Sequence, residues 1–165
     1  MDEVMIELKK RIHYLAQGIR DGIIKPEDVD EQVYKIIDAA VELYKKEDVE
    51  LLMPLNNGGP LLFQENGIYF IPLYSCKEEI KECMASDYSS VSFKKICDYV
   101  ENKIESYETM DEPEYPKLAG IMLDPESDDL FSFDNWILRA VVYKGMGADT
   151  FRAYDAETGE LKHEV

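Results

Sequence analysis

The sequence predicts an α+β fold: a mixed or mostly antiparallel sheet with flanking helices, preceded by an N-terminal helical hairpin. Three observations carry this. Two successive stretches repeat apolar residues at helical spacing. From Glu50 the texture changes to short apolar runs broken by turn clusters. One wholly apolar run, Leu118–Leu123, leads through an acidic turn to another short run and a helix. The chain is therefore expected to divide into a hairpin over 1–48, packed on the remainder, and a main segment over 49–165.

Val4, Leu8, Ile12, Leu15 and Ile19 recur at steps of three and four, one face of a first helix, and Gly18 and Gly22 are expected to weaken and end it. Lys25-Pro26-Glu27-Asp28 opens a second helix, because proline is tolerated in a first turn and acids there suit the macrodipole. Its stripe is Val29, Val33, Ile36, Ile37, Ala40 and Tyr44, and Lys45 and Lys46 close it with the preferred sign.

"ELLMPL", "LLFQ" and "IYFIPLY" are separated by "NNGGP" and by Glu65-Asn66-Gly67, and are expected to form a three-stranded meander. Both alternating sets of "IYFIPLY" are apolar, which predicts a strand covered on both faces. Pro72 cannot donate a ladder bond, so it is expected at the strand's end. Ser75 and Glu78 then read as a capping box opening a short helix to about Met84.

"DYSSV" reads as a brief strand, and Ser92 as the cap of a helix faced by Phe93, Ile96, Cys97, Val100 and Ile104. "ESYETMDEPEYPK" reads as an exposed loop, "LAGIML" as a central strand, Asp124–Asp129 as a turn and "LFSF" as a return strand. Asp134 is the expected cap of a last helix stopped by Gly145 and Gly147, and the tail reads as a hairpin around Glu157-Thr158-Gly159.

A chain of 165 residues suits one domain with a core large enough to need no staples. Its 35 acidic and 18 basic residues leave a formal charge of −17, and no basic stripe interrupts it. Such a surface repels nucleic-acid phosphates and anionic lipid, so neither nucleic acid nor membrane is expected as a partner, whereas a basic protein surface is. The opening "MDEVMIELKK" has no apolar signal region and no run is long enough for a membrane span. Three cysteines, an odd number, suit a reducing compartment, and a cytoplasmic location is expected.

The motifs that carry chemistry are few. Cys76 and Cys83 fall on one face of the helix expected there, about 10 Å apart, too far for a disulfide. Cys76 stands near that helix's N-terminus, where a thiol is activated, but Glu78 and Glu79 oppose the effect and neither His13 nor His163 is placed as its base. Asp124, Glu126 and Asp128 imitate the start of an EF-hand loop, yet Asp129 stands where glycine is needed and Asn135 where a bidentate glutamate is needed. Gly145-Met146-Gly147 follows a helix rather than a strand and is a helix stop, not a dinucleotide loop. No metal site and no cofactor is expected. Of eleven tyrosines, Tyr88, Tyr99, Tyr107 and Tyr115 lie in polar contexts, a composition that suits a protein interface.

One resemblance emerges from "IPLYS" before a helix and "AGIMLDP" before a strand and a helix. This pattern is similar to the SseB N-terminal-domain-like family, bacterial proteins of mixed α/β fold mostly without an assigned activity. Pro72, Tyr74 and Ser75 match its Pro-x-aromatic-Thr/Ser element, and Gly120, Leu123 and Pro125 match its Gly-x-x-apolar-Asn-Pro element. Cys76 stands where serine is common and Asp124 where asparagine is common. The likeness spans roughly residues 50 to 140, and it implies a fold rather than a reaction.

These readings converge on a non-enzymatic cytoplasmic binding or adaptor module, with self-association left open. The alternative is an enzyme or small-molecule binder of an unrecognised type, whose site would lie where the two strand ends meet, at Pro72, Tyr74, Ser75, Asp124 and Pro125, because ligands favour strand ends. A third reading is a divalent-cation-dependent regulator using the turn from Asp124 to Asp129.

Overall fold

The protein is described from a computed structural model, over residues 1–109 and 117–165. In chain order its elements are α1 (Glu3–Arg20), α2 (Val29–Tyr44), β1 (Glu50–Asn56), β2 (Gly59–Pro60), β3 (Phe63–Glu65), β4 (Ile68–Leu73), β5 (Asp87–Ser92), α3 (Phe93–Thr109), β6 (Leu118–Leu123), β7 (Phe131–Asp134), α4 (Asn135–Gly145), β8 (Arg152–Tyr154) and β9 (Leu161–Glu164). The expected α+β class and helical hairpin are both present.

α1 and α2 form that hairpin. Asp2 caps α1 by accepting the Val4 N–H at 2.8 Å, and α2 is entered through a 3-10 turn at Pro26–Asp28. The buried stripe of α1 is Met5, Leu8, Ile12, Leu15 and Gly18, so the expected register holds in its middle and drifts at the end: Ile19 is half exposed and Gly18 faces inward. Gly18 is therefore a contact point rather than a helix stop. A methyl group there would lie 2.4 Å from Ile24 Cδ1, so the missing side chain lets Ile24 fold back onto the helix. Residues of both helices share one hydrophobic cluster with β1, β4, β6, β7, α3 and α4.

The strands divide between sheets. One is antiparallel, in the order β2-β1-β5, and another is mixed, in the order β3-β4-β6-β7 with β4 and β6 parallel; β8 and β9 pair with each other. The expected meander is thus wrong in its first step. β1 pairs with β5 from Glu50 to Leu55 and meets β4's extension only through a bridge between Leu52 and Tyr74. The helix expected from Ser75 to Met84 is also absent; a single 3-10 turn, Lys77–Glu79, stands in its place. The reason lies in Ser75, whose hydroxyl bonds Asp124 rather than capping a helix.

Pro72 sits inside β4, not at its end. Tyr69 donates its N–H toward β6, to Lys117 O, and Tyr74 donates away from it, to Leu52 O. Strand alternation therefore turns the Pro72 nitrogen to the side away from β6. On that side β3 stops pairing at Phe70 and β1 begins at Tyr74, so proline occupies the gap where β4 changes partner and no ladder bond is lost.

β6 is buried at every residue, as a central strand should be. Ile121 and Leu123 enter the main cluster, while Ala119 and Met122 join Phe70 in a smaller one on the opposite face. Ser92 caps α3 by accepting the Lys95 N–H at 3.2 Å. α3 runs on through Thr109, so the first part of the expected loop is helical, and residues 110–116 of that loop, including Tyr115, fall outside the described residues. Asp134 precedes α4 as expected, although its carboxylate makes no capping bond.

Candidate functional site at the strand ends

β4 and β6 run parallel and end together, Leu73 opposite Leu123. This brings "PLYS" and "LDPESDD" side by side, and the Asp124 N–H donates to Leu73 O at 2.8 Å. Asp124 then turns the chain in the left-handed region, φ +47°, with its side chain buried. Aspartate tolerates that conformation better than most residues.

The buried carboxylate organises a four-residue cluster. Its Oδ1 accepts the Ser75 N–H at 2.8 Å and its Oδ2 accepts the Ser75 hydroxyl at 2.7 Å. Lys9 reaches in from α1, with Nζ 3.2 Å from Asp124 Oδ2, 3.0 Å from Ser75 Oγ and 3.1 Å from Glu79 Oε1. Burial acts to depress the Lys9 ammonium, but the hydrogen bond to Glu79 and the charge of Asp124 outweigh it and hold its pKa above the ordinary lysine value. A lysine so held keeps its proton at neutral pH. Beside the cluster is a cavity of about 90 Å³, lined by Lys9, Ile12, Glu79, Leu123, Asp124, Ser127 and Asp129.

A further carboxylate, Glu126, holds the segment after Glu79. It accepts the Tyr74 hydroxyl at 2.9 Å, the Lys81 N–H at 3.0 Å and the Glu82 N–H at 2.5 Å. Burial alone would raise its pKa, but these donors outweigh burial and lower it. Tyr74 is driven the other way: burial, then hydrogen bonding to Cys83 and Glu126, pushes its phenol far up. Burial and Cys83 push the neighbouring Tyr88 up to about 12. Both phenols stay protonated donors at neutral pH.

The acidic turn closes onto α1. Asp129 accepts Arg20 Nη2 at 2.9 Å and lies 2.6 Å from His13 Nδ1, while Arg20 Nη1 donates to Asp128 O at 2.7 Å. The carboxylates of Asp124, Glu126 and Asp129 thus face different partners and do not converge. Among the described residues no group of three or more His, Cys, Asp or Glu side chains is arranged to hold a metal ion.

The cysteines do not share a helix. Cys76 is half-buried, and the carboxyl of the nearby Glu78 is lowered by its own backbone N–H and then by the Cys76 thiol. Cys83 faces the phenols of Tyr74 and Tyr88, and Cys97 is fully buried, which pushes its thiol well above the ordinary value. Gly145 and Gly147 end α4, Gly147 at φ +110°, as a helix stop requires.

Of the five expected site residues, Tyr74, Ser75 and Asp124 carry polar contacts, Pro72 lies in β4 and Pro125 follows Asp124 in the turn. Sequence reasoning missed Lys9, Glu79 and Glu126 as partners. Lys9 had one available signal, a cation immediately beside the buried Leu8 on α1, but nothing local says which strand end it meets. Among the described residues no helix is long and apolar enough to cross a membrane. No family model, curated protein or solved structure matches the chain.

Proposed function

We propose that the protein is a non-enzymatic cytoplasmic binding or adaptor module, related in its strand-end motifs to the SseB N-terminal-domain-like proteins, whose partner presents a basic surface. The observation that carries this reading is the saturation of the strand-end cluster. Ser75, Asp124, Lys9 and Glu79 satisfy one another, Glu126 is engaged by Tyr74 and two backbone donors, and the one acceptor against the Ser75 hydroxyl, the Asp124 carboxylate, is itself held by the Ser75 N–H and by Lys9. The charge of −17 supplies the partner's chemistry.

The test is capture of tagged protein's partners at low and high salt. A stoichiometric partner retained at low salt and released at high salt is expected. A partner indifferent to salt overturns the electrostatic reading, and measurable turnover lost on replacing Ser75 overturns the non-enzymatic one.

The small cavity beside Asp124 favours a second reading, a binding site for a small polar molecule. Thermal-shift screening of wild type and Ser127→Ala, a change in the cavity's lining, separates the two, because a ligand in that cavity stabilises the wild type and loses its effect in the variant.

A further inference from the structure

β5 is the free edge of its sheet: it pairs with β1, and among the described residues no strand pairs with its other side. The other edges of the two larger sheets are short. β2 is two residues long and ends in Pro60, and β3 and β7 have three and four residues. β5 has six, Asp87–Ser92, in unbroken register with β1 and with neither proline nor lysine to discourage pairing. A groove of about 610 Å³ lies along it. Ser89–Ser92 line that groove in succession, and because side chains alternate between faces, a cavity touching all of them follows the strand's edge. Lys94 and Lys95, in the first turn of α3, continue its wall.

The register fixes which backbone groups of β5 face outward. Leu52 exchanges both its bonds with Tyr74, and Pro54 O accepts the Leu61 N–H at 2.9 Å, all on the side of β1 away from β5. The residues opposite them, Ser90 and Tyr88, therefore make no ladder bonds to β1, and Ser92, opposite Glu50, follows by alternation. The N–H and C=O groups of Tyr88, Ser90 and Ser92 point to the free edge. Two of these are already engaged. The Tyr88 N–H donates to Asp87 Oδ1 at 2.8 Å, and the Ser92 C=O, at the cap of α3, accepts that helix's first bond. The Tyr88 C=O, both Ser90 groups and the Ser92 N–H remain.

We propose that these groups pair with the same groups of a second copy of this chain, joining two β5 strands antiparallel about a two-fold axis at Ser90. In that register Ser90 faces Ser90 and the two exchange both bonds, while the Ser92 N–H of each copy donates to the Tyr88 C=O of the other. The two engaged groups, Tyr88 N–H and Ser92 C=O, fall opposite each other, so every free group finds a partner and no engaged group is needed. The edge is complementary to itself. Its charges agree. Asp87 of each copy lies opposite Phe93 of the other, at the start of α3, where an acid suits the helix macrodipole. Lys95 stands there too; Lys94 is held by Asp98 at 2.7 Å, but Lys95 has no ion pair among the described residues. The charge of −17 on each copy opposes association. At about 0.15 M salt, charges more than about 8 Å apart are largely screened, which leaves the contacts at the edge to decide. This dimer is independent of the basic partner proposed above.

The test is sedimentation velocity of the full chain at that salt, from about 10 µM to about 1 mM, with amide hydrogen exchange at both ends of the range. The dimer fraction is expected to grow with concentration. The Ser90 and Ser92 amides are expected to gain protection, while those of Ser89 and Val91, already bonded to β1, stay as they are. Ser90→Pro removes an outward N–H, which an edge strand tolerates, so pairing with β1 survives and the dimer is expected to weaken at least about thirtyfold. Unchanged melting of this variant shows that the loss is not unfolding. Lys95→Glu is expected to weaken the dimer about tenfold, and Asp87→Lys/Lys95→Glu to return it to within about threefold of wild type. If Ser90→Pro does not fold, this charge exchange decides alone. A monomer at every concentration, a dimer unmoved by a folded Ser90→Pro, protection gained away from β5, or no recovery in the double variant overturns the inference.

Discussion

Asp124 holds Ser75 twice, through the backbone N–H on one carboxylate oxygen and through the hydroxyl on the other, at 2.8 and 2.7 Å. It does so from a left-handed backbone position with Lys9 against its second oxygen. Alanine there loses both bonds, leaves Glu79 as the remaining counter-charge to Lys9 and strains the turn; asparagine keeps the tolerance for positive φ and one acceptor. The expected cost is about 3 kcal/mol for Asp124→Ala and about 1 kcal/mol for Asp124→Asn, since Lys9 is partly solvated and the pair is only half desolvated. Urea unfolding measures both. Losses under about 0.5 kcal/mol in each would mean that the clamp adds nothing to stability.

Two glycines separate backbone necessity from side-chain convenience. A methyl group on Gly120 would lie 2.0 Å from the Phe133 carbonyl oxygen and 2.8 Å from Asp134 Cα, both main-chain atoms of the neighbouring strand. A methyl on Gly18 would meet only Ile24's side chain, at 2.4 Å from its Cδ1. Ile24 can change rotamer, and alanine in a helix recovers about 1 kcal/mol over glycine. Gly120→Ala is therefore expected to cost about 3 kcal/mol or more, and Gly18→Ala to stay within about 1 kcal/mol of wild type. Similar denaturation midpoints for the two variants would refute the distinction.

Glu126 gives the protein an acid-side stability term. Its folded pKa lies below the ordinary value of 4.5, because the Lys81 and Glu82 N–H groups and the Tyr74 hydroxyl outweigh burial. On acidification the unfolded chain takes up the proton first. The contribution is complete above the unfolded value and is lost as pH falls through the folded one. Asp129, lowered by Arg20 and His13 against burial, acts in the same direction. Glu126→Gln is expected to destabilise by about 1 kcal/mol at neutral pH. That difference should shrink between about pH 5 and about pH 3. A difference constant with pH would assign the effect to shape rather than charge.

The residues above also show why some of this was legible in advance. Helical periodicity is local, so α1, α2 and α4 follow from it, and the all-apolar Leu118–Leu123 reads directly as a central strand. The adjacency of "PLYS" and "LDPESDD" was an expectation conditional on neighbouring strand ends, and the parallel pairing of β4 with β6 satisfies the condition. The meander failed because hairpin signals say where a chain turns, not which strand it meets after turning. Leu52 meets Tyr74 only because β4 outlasts β3. The capping box failed by competition: a serine hydroxyl that caps a helix in isolation bonds a buried carboxylate instead when the fold supplies one. Lys9 lies 66 residues from Ser75 in sequence, and no local pattern encodes that meeting.

One imidazole helps to anchor the C-terminal hairpin. His163 on β9 stacks on Trp136 of α4, ring centroids 3.8 Å apart and planes 7° from parallel, and its Nδ1 lies 3.1 Å from the Tyr34 hydroxyl of α2. Phe151 and Val165 close the hairpin's open end by exchanging backbone bonds at 2.9 Å. His163→Ala removes the face that covers the indole and leaves the Tyr34 hydroxyl without its imidazole partner. The expected loss is about 1 to 2 kcal/mol, the sum of an aromatic contact and a hydrogen bond. Trp136 is the single tryptophan, so its emission reports the change without interference. A red shift is expected in His163→Ala, and a smaller one in Tyr34→Phe, which keeps the stack and loses only the hydroxyl. If His163→Ala leaves both the emission maximum and the melting temperature unchanged, the hairpin is held by its other contacts, the stack of Phe151 on Tyr143 of α4 and the packing of Val165 on the core, and the histidine is a bystander.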